Sequence, residues 1–297
     1  MKKFVFSGVF ILVGLGLGGW YGQTGEEPFD IPVVDTHTHA SFDDEVDPTS
    51  GIKATKEEYL REFKESGLVA AISHVGRTTD IVDDLKPLKV IQCAGLEAKV
   101  DAEKLEERLK SKKFSCIKIY LGYVHQFAYD VAYEPAYQLA EKYDVPVVFH
   151  TGDTYSSKAK LKYSDPLTID EVAVDHPNVT FVIAHLGNPW IQSAAEVVFK
   201  NPNVYVEASA LMIGDLSRVS AEDLDRYVVQ PLSWAFGYVE DPSKFMFGSD
   251  WPLVNIKSYL EVYKKAIPKQ YWRQVFYENA VKVFRLDREL GLNKEIH

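Results

Sequence analysis

The stretch Ile31-Pro-Val-Val-Asp-Thr-His-Thr-His-Ala40 decides between the two folds open to this chain. Its apolar start carries no charge before Asp35, which suits a strand covered on both faces in a parallel sheet. With Ile31–Asp35 as the first, such runs recur at Val69–Val75, Lys89–Leu96, Cys116–Leu121, Pro146–His150, Val179–His185, Val204–Ala208 and Phe245–Ser249. Helical stretches lie between them. Thr55-Lys-Glu-Glu58 and Thr168-Ile-Asp-Glu171 have the spacing of capping boxes, and Asp101 caps a helix carrying Leu105 and Leu109 on one side. Pro135 belongs in the first turn of another helix, and Pro231 interrupts or ends one begun near Ser220. Eight strand–helix units over about 270 residues have the size of a closed barrel. The rival, a doubly wound open sheet, needs a glycine-rich turn after its first strand so that a pyrophosphate can approach the backbone. Thr36-His-Thr-His-Ala40 contains no glycine. The expectation is one α/β domain, a (β/α)8 TIM barrel over residues 31–297.

Upstream of the barrel the chain changes character. After Lys2 and Lys3, residues 4–21 carry no charge, and the first acidic residue is Glu26. Such a run fits a signal peptide or signal anchor, and the seven glycines from Gly8 to Gly25 would weaken a buried helix in water. Residues 1–22 are therefore expected to be that segment, preceding the barrel, with 23–30 a linker. The two lysines predict a cytoplasmic N-terminus and an exported, periplasmic or extracytoplasmic body, with contact to the membrane through the hydrophobic segment. With 33 basic against 43 acidic residues, a net charge of −10 and no basic run, a nucleic-acid partner is excluded. The expected partner is a small-molecule substrate, with homo-oligomer formation left open. Two cysteines rule out a disulfide-stapled scaffold. Cys93 and Cys116 fall on adjacent predicted strands and are read as buried apolar fillers, disulfides between neighbouring parallel strands being uncommon.

Five of the eight histidines, His37, His39, His74, His150 and His185, fall at or just past a predicted strand's C-terminal end. In a parallel barrel those ends gather at one mouth, where active sites occur. His37 and His39 are two apart on a strand and point to the same side, as does Asp35. Two neutral imidazoles so placed can grip zinc or another first-row divalent ion. His150 supplies a third ligand, or is a core histidine bonded to a backbone carbonyl. His185 can ligate or polarise a substrate. Asp250, in Phe-Gly-Ser-Asp-Trp-Pro at the end of the eighth strand, can both ligate and take a proton from water. Arg77 either clasps a carboxylate or phosphate, with His74 beside it, or makes a salt bridge at a helix start, and Trp251 is expected near the pocket. Tyr120, Tyr123, His125 and the polar loop from Asp153 to Pro166 are expected to shape a lid.

The blocks Val-Asp-Thr-His-Thr-His, Pro-Val-Val-Phe-His-Thr-Gly, Ile-Ala-His-Leu-Gly, Phe-Gly-Ser-Asp-Trp-Pro and Glu-Asn-Ala-Val-Lys-Val-Phe-Arg-Leu resemble the amidohydrolase superfamily. The likeness covers residues 31–286 and is nearest to the amidohydrolase-related branch. That branch includes aminocarboxymuconate semialdehyde decarboxylase, resorcylate decarboxylases and pyrone dicarboxylate lactonase. The resemblance implies His37, His39, His150 and Asp250 as metal ligands, His185 as a ligand or catalytic histidine, and Asp35 as an orienter of the ligating histidines. It implies one divalent metal ion, zinc or manganese. Lys118 lies where two-metal relatives carry a carboxylated lysine, so it has three readings. It is the bridge to a second ion, a cation for a substrate carboxylate, or a lysine snorkelling from a strand end.

Three functions follow from these residues. The first is a metal-dependent hydrolase, with Asp250 and His185 catalytic and an ester, lactone or amide as substrate. The second keeps the site and decarboxylates a small carboxylated substrate held by Arg77 or Lys118. The third is a non-catalytic exported scaffold with a vestigial metal site, against which the retained Asp250 counts.

Overall fold

Apolar β-branched runs build the barrel wall. In the computed structural model, which describes residues 30–42, 44–74, 76 and 85–291, they form β1 (Val33–Thr38), β2 (Leu68–His74), β3 (Val90–Gly95) and β4 (Phe114–Ile119). The circuit continues through β5 (Val147–Phe149), β6 (Phe181–Ile183), β7 (Val204–Glu207) and β8 (Phe245–Met246). All neighbours pair in parallel and in chain order, the topology expected of a TIM barrel. The ring closes beyond the short β8. Thr36 N and Oγ1 both donate to Phe247 O, at 2.9 and 2.8 Å, Asp250 N donates to His37 O at 2.7 Å, and His39 N to Trp251 O at 2.7 Å. The backbone of the His-Thr-His stretch is therefore stitched to the Ser-Asp-Trp stretch.

The outer layer is α1 (Lys56–Glu65), α2 (Ala102–Lys110), α3 (Glu134–Tyr143), α4 (Thr168–Asp175), α5 (Ile191–Lys200), α6 (Gln230–Val239), α7 (Ile256–Ala266) and α8 (Asn279–Phe284). After β2 the described residues show a single 3₁₀ turn, Lys86–Leu88, rather than an α-helix. Thr55 and Asp101 cap as expected, accepting from Glu58 N and Lys104 N at 3.0 Å each, contacts worth about 1 kcal/mol apiece. Thr168 does not. It is the first helical residue, and its hydroxyl accepts from Ala128 N at 2.7 Å, tying α4 to the loop after β4. Pro231 interrupts its helix without ending it. Residues Ala221–Leu224 and α6 run on through a π-type stretch, Asp225–Val229, a wider turn that absorbs the N–H that proline lacks.

Inside the barrel, Val34, Ile72, Ile91, Val148, Val182 and Met246 pack with Ala280 and Phe284 of α8 in one buried cluster. Cys93 and Cys116 belong to it, but they are not separate fillers. They are register partners on β3 and β4, their Cα atoms are 4.3 Å apart, and they form a disulfide. Side chains at paired positions of neighbouring strands point to the same face, which brings the two sulfurs together. Lys118, two residues beyond Cys116, shares that inward face. The hydrophobic segment 1–22, the linker up to residue 29, and Arg77 lie outside the described residues. Among the described residues, no helix is long and apolar enough to cross a membrane.

Candidate metal centre

Closure of β8 onto β1 brings His37, His39 and Asp250 to one point. Asp250 Oδ1 lies 3.5 Å from His37 Nε2 and 3.2 Å from His39 Nε2, and no donor makes a hydrogen bond to it although it is buried. The far nitrogens of both rings are engaged. His37 Nδ1 meets Glu207 Oε1 at 2.6 Å, and His39 Nδ1 meets His74 O at 3.0 Å. Carboxylate and carbonyl oxygens only accept, so both Nδ1 atoms carry the proton and both neutral rings turn an Nε2 lone pair toward the Asp250 oxygen. Three electron pairs converging on one spot repel each other unless a cation lies among them; the Lys118 ammonium meets His37 Nε2 at 3.5 Å, and no such contact reaches Asp250 Oδ1. The donor set, two imidazoles and one carboxylate, fits a divalent ion of the zinc or manganese kind. A second group, His37, His185 and Glu207, is equally close-set, but the 2.6 Å hydrogen bond between His37 and Glu207 already fills it.

His150 and His185 form a separate chain. Ser209 Oγ lies 2.9 Å from His185 Nδ1, His185 Nε2 lies 3.1 Å from His150 Nδ1, and His150 Nε2 lies 2.9 Å from Asp153 O. The carbonyl fixes the His150 proton on Nε2, so His185 donates to His150 and accepts from Ser209. The structure thus does not bring the expected third ligand, His150, into the converging group. Both its ring nitrogens are engaged elsewhere, and the ring sits under Tyr120 and Tyr123, with centroids 6.2 and 5.0 Å away. His185 touches both sets, since its Nδ1 is 3.9 Å from Asp250 Oδ2. Its backbone is left-handed (φ 60°), as is that of Leu186 (φ 49°) and Asp250 (φ 73°). Such conformations gather at functional sites. Gly152 (φ 80°) lets the turn after His150 close on the β6 loop, because a Cβ there would lie 2.2 Å from Asn188 O.

Three further expectations are corrected. Lys118 does not snorkel: it is fully buried, and its Nζ lies 3.5 Å from His37 Nε2, facing into the mouth. Trp251 does not line the pocket. Its ring has no exposed surface and packs on Tyr59 and Phe42, with centroids 4.9 and 6.3 Å away. Asp35 does not orient a histidine ring. Its carboxyl accepts from Ser249 N (2.9 Å), Ser249 Oγ (2.6 Å) and the backbone N of His37 (3.1 Å), locking β1 to the loop after β8. His74, expected to act with Arg77, is buried against His37, and its Nε2 bonds to Thr36 O at 3.2 Å.

Orientation of the His37 ring falls instead to Glu207, which the sequence reading missed. It closes the apolar run Val-Tyr-Val-Glu at the end of β7, the same signal that singled out the histidines.

Burial governs the electrostatics. It drives the His37 imidazole well below its ordinary range, with Lys118 adding to the effect, and brings His185 to about 4 although Asp250 opposes it. Burial pushes the Glu207 carboxyl up and the Lys118 ammonium down, and each of the two limits the other's shift. Burial alone would raise Asp250 too. The neighbouring His39 and His185 rings and the Lys118 ammonium override it and hold this carboxyl at about 2. The site thus offers neutral imidazoles and an ionised carboxylate, the forms in which these groups bind metal.

Fold and site together define a metal-dependent enzyme on a TIM barrel. The family model described as amidohydrolase matches residues 88–286, two thirds of the chain, and the chain belongs to that family. The match begins beyond β1, so it does not include His37 and His39. No curated relative matches the chain by sequence. Among solved structures, an uncharacterized TIM-barrel protein from Bordetella bronchiseptica is similar at 17% identity and a TM-score of 0.64, over 88% of this chain and 100% of that one. A probable 2-pyrone-4,6-dicarboxylic acid hydrolase from Acinetobacter baumannii, with citric acid bound, is similar at 14% identity and 0.61, over 86% and 100%. A dihydroxybenzoic acid decarboxylase from Polaromonas sp. JS666, holding manganese and the inhibitor 2-nitroresorcinol, is similar at 14% identity and 0.62, over 88% and 99%. At these identities the likeness is one of fold.

Proposed function

We propose that this amidohydrolase hydrolyses an ester, lactone or amide bond of a small carboxylated molecule, with one divalent metal ion, zinc or manganese, held by His37, His39 and Asp250. The observation that carries the reading is the buried Asp250 Oδ1, which faces two imidazole nitrogens and receives no hydrogen bond. A divalent ion at such a site supplies Lewis-acid polarisation and makes water a better nucleophile at neutral pH.

The chain's own residues do the rest. Asp250 turns Oδ2 toward His185, leaving that oxygen to take the proton from the attacking water and return it to the leaving group. His185, neutral, carries its one N–H on Nε2, and would steady the polarised carbonyl by turning that N–H from His150 to the substrate. Lys118, buried beside His37, gives a substrate carboxylate a cation in a place with little competing water. Tyr120 and Tyr123 cover the His150 side, and Tyr155 OH bridges the mouth to Thr49 Oγ1 at 2.7 Å.

The same Lys118 favours a second reading, decarboxylation of a carboxylated aromatic held by that ammonium. Zinc- or manganese-loaded protein, tested on lactones and carboxylated aromatics in parallel, separates the two, since only decarboxylation releases carbon dioxide. Hydrolysis that is abolished in Asp250→Asn supports the first reading. Activity that survives this change at every pH contradicts it.

We also propose that the body is exported. The Lys2/Lys3 flank supports this, as does the Cys93–Cys116 disulfide, a bond characteristic of oxidising compartments. Recovery of the intact protein from the cytosolic fraction with both thiols reduced would overturn it.

A further inference from the structure

We infer that Glu207 is the positioning residue of the metal centre, a single buried carboxylate that fixes the His37 ring and the His185 backbone together. The inference rests on His37 being a metal ligand, and it goes further by naming what makes His37 one. Glu207 Oε1 lies 2.6 Å from His37 Nδ1 and accepts from His185 N at 3.2 Å, while Oε2 accepts from Ser209 N at 2.6 Å. His37 and Glu207 have side-chain exposures of 0% and 1%, so water cannot substitute for either partner. An ionised carboxylate only accepts, and it therefore selects the His37 tautomer with hydrogen on Nδ1 and the lone pair on Nε2. Through His185 N it also holds the chain where it enters two successive left-handed residues.

Gly248 provides independent support. A Cβ at that position would lie 2.7 Å from Glu207 Oε2 and 3.0 Å from His37 Cβ. The glycine of Phe-Gly-Ser-Asp is thus the space into which the Glu207 carboxylate fits. The side chain has donors at both oxygens, a cavity shaped to it, and a metal-facing ring as its partner.

A buried glutamate that served only to brace the fold would not care which His37 nitrogen bears hydrogen. The amide of Glu207→Gln separates the two roles. With its oxygen toward His37, its NH2 opposes Ser209 N–H. Flipped, the NH2 faces His37 and forces hydrogen onto Nε2, which then cannot ligate.

The test uses the full-length protein with ¹⁵N-labelled histidine, and reads the His37 tautomer in the metal-free state by long-range ¹H–¹⁵N correlation. Zinc affinity is measured by chelator competition. The parent is expected to show the Nδ1–H form, and Glu207→Gln to lose it and bind zinc about 10–100-fold more weakly. Glu62→Gln, which alters a buried glutamate on α1, is expected to change neither. An Nε2–H form in the parent overturns the inference, as does a folded Glu207→Gln that keeps the parent's tautomer and affinity. Should Glu207→Gln not fold, Gly248→Ala decides: weaker zinc binding supports the inference, and unchanged binding overturns it. A parent that shows the Nδ1–H form but binds no zinc refutes the proposed function, and with it the metal-centre role, while leaving the Glu207–His37 pairing in place.

Discussion

The two sides of the barrel mouth are built differently. On the β1–β7–β8 side every group is braced from behind: His37 by Glu207, His39 by the His74 carbonyl, and the Asp35 carboxyl by Ser249. All of these except His39 are buried, and the Asp250 oxygen that faces the two imidazoles receives no hydrogen bond. On the β4–β5 side, His150 is half-buried and its bonds run to another histidine and a loop carbonyl. Its cover is two tyrosines and an exposed loop held by polar contacts: Tyr155 OH to Thr49 Oγ1 at 2.7 Å, Tyr155 N to the Tyr123 hydroxyl at 2.9 Å and His125 Nε2 to Lys158 O at 3.0 Å. Rigid, dry bracing suits metal binding, where ligands must be held in place before the ion arrives. A loose, polar wall suits substrate recognition, which varies with loops while the scaffold stays fixed.

The largest expected effect breaks the rigid side. Asp250→Asn keeps the shape of the side chain but removes the proton acceptor, and is expected to lower kcat of the metal-loaded enzyme by about 10³-fold. Steady-state kinetics on whichever substrate class is turned over measures it, and a loss under tenfold would move the proton-carrying role elsewhere.

Acid should act on the histidine chain that joins the two sides. Burial brings His185 from its ordinary 6.5 to about 4, so between those values the unfolded chain binds a proton that the folded one does not. The contribution is whole above pH 6.5 and is lost as pH falls toward 4, at a cost of about 3 kcal/mol. Urea denaturation of the metal-free parent and of His185→Gln across that range checks the sign, since Asp35 and Glu207, both pushed up by burial, titrate in the same window with the opposite sign; a parent that loses no more stability on acidification than the variant would contradict it.

A comparable loss of stability should leave the metal side untouched. The disulfide closes a segment with a sequence separation of 23, for which chain entropy gives about 3 kcal/mol. Cys93→Ser with Cys116→Ser is expected to lower the thermal midpoint while zinc affinity stays within about twofold, because neither sulfur is among the converging groups. A large loss of affinity would mean that the two sides are not independent. The smallest effect belongs to the loose side. Tyr155→Phe removes one exposed bridge, worth about 1 kcal/mol at most, and should raise KM a few-fold with kcat unchanged.

Much of this was legible in the sequence. Apolar runs of strand length marked all eight strands to within a few residues, because a parallel barrel buries both faces of each strand. Strand ends converge on one mouth, and this alone placed His37, His39, His185 and Asp250 together. What could not be read was rotation about side-chain bonds. His37 is turned by a carboxylate 170 residues away, and His150 by a carbonyl in its own loop, and neither leaves a pattern in local spacing. The disulfide escaped for a related reason, since it depends on the exact register of β3 against β4. Thr168 matched a capping box, but Ala128 offered its hydroxyl a nearer tertiary partner.

The most direct test of the account is the metal content of the purified full-length protein beside a His37→Ala/His39→Ala variant, by mass spectrometry after reconstitution. One tightly held zinc or manganese ion per chain is expected in the parent and none in the variant. A parent that takes up no divalent ion, or a variant that holds as much as the parent, would contradict it.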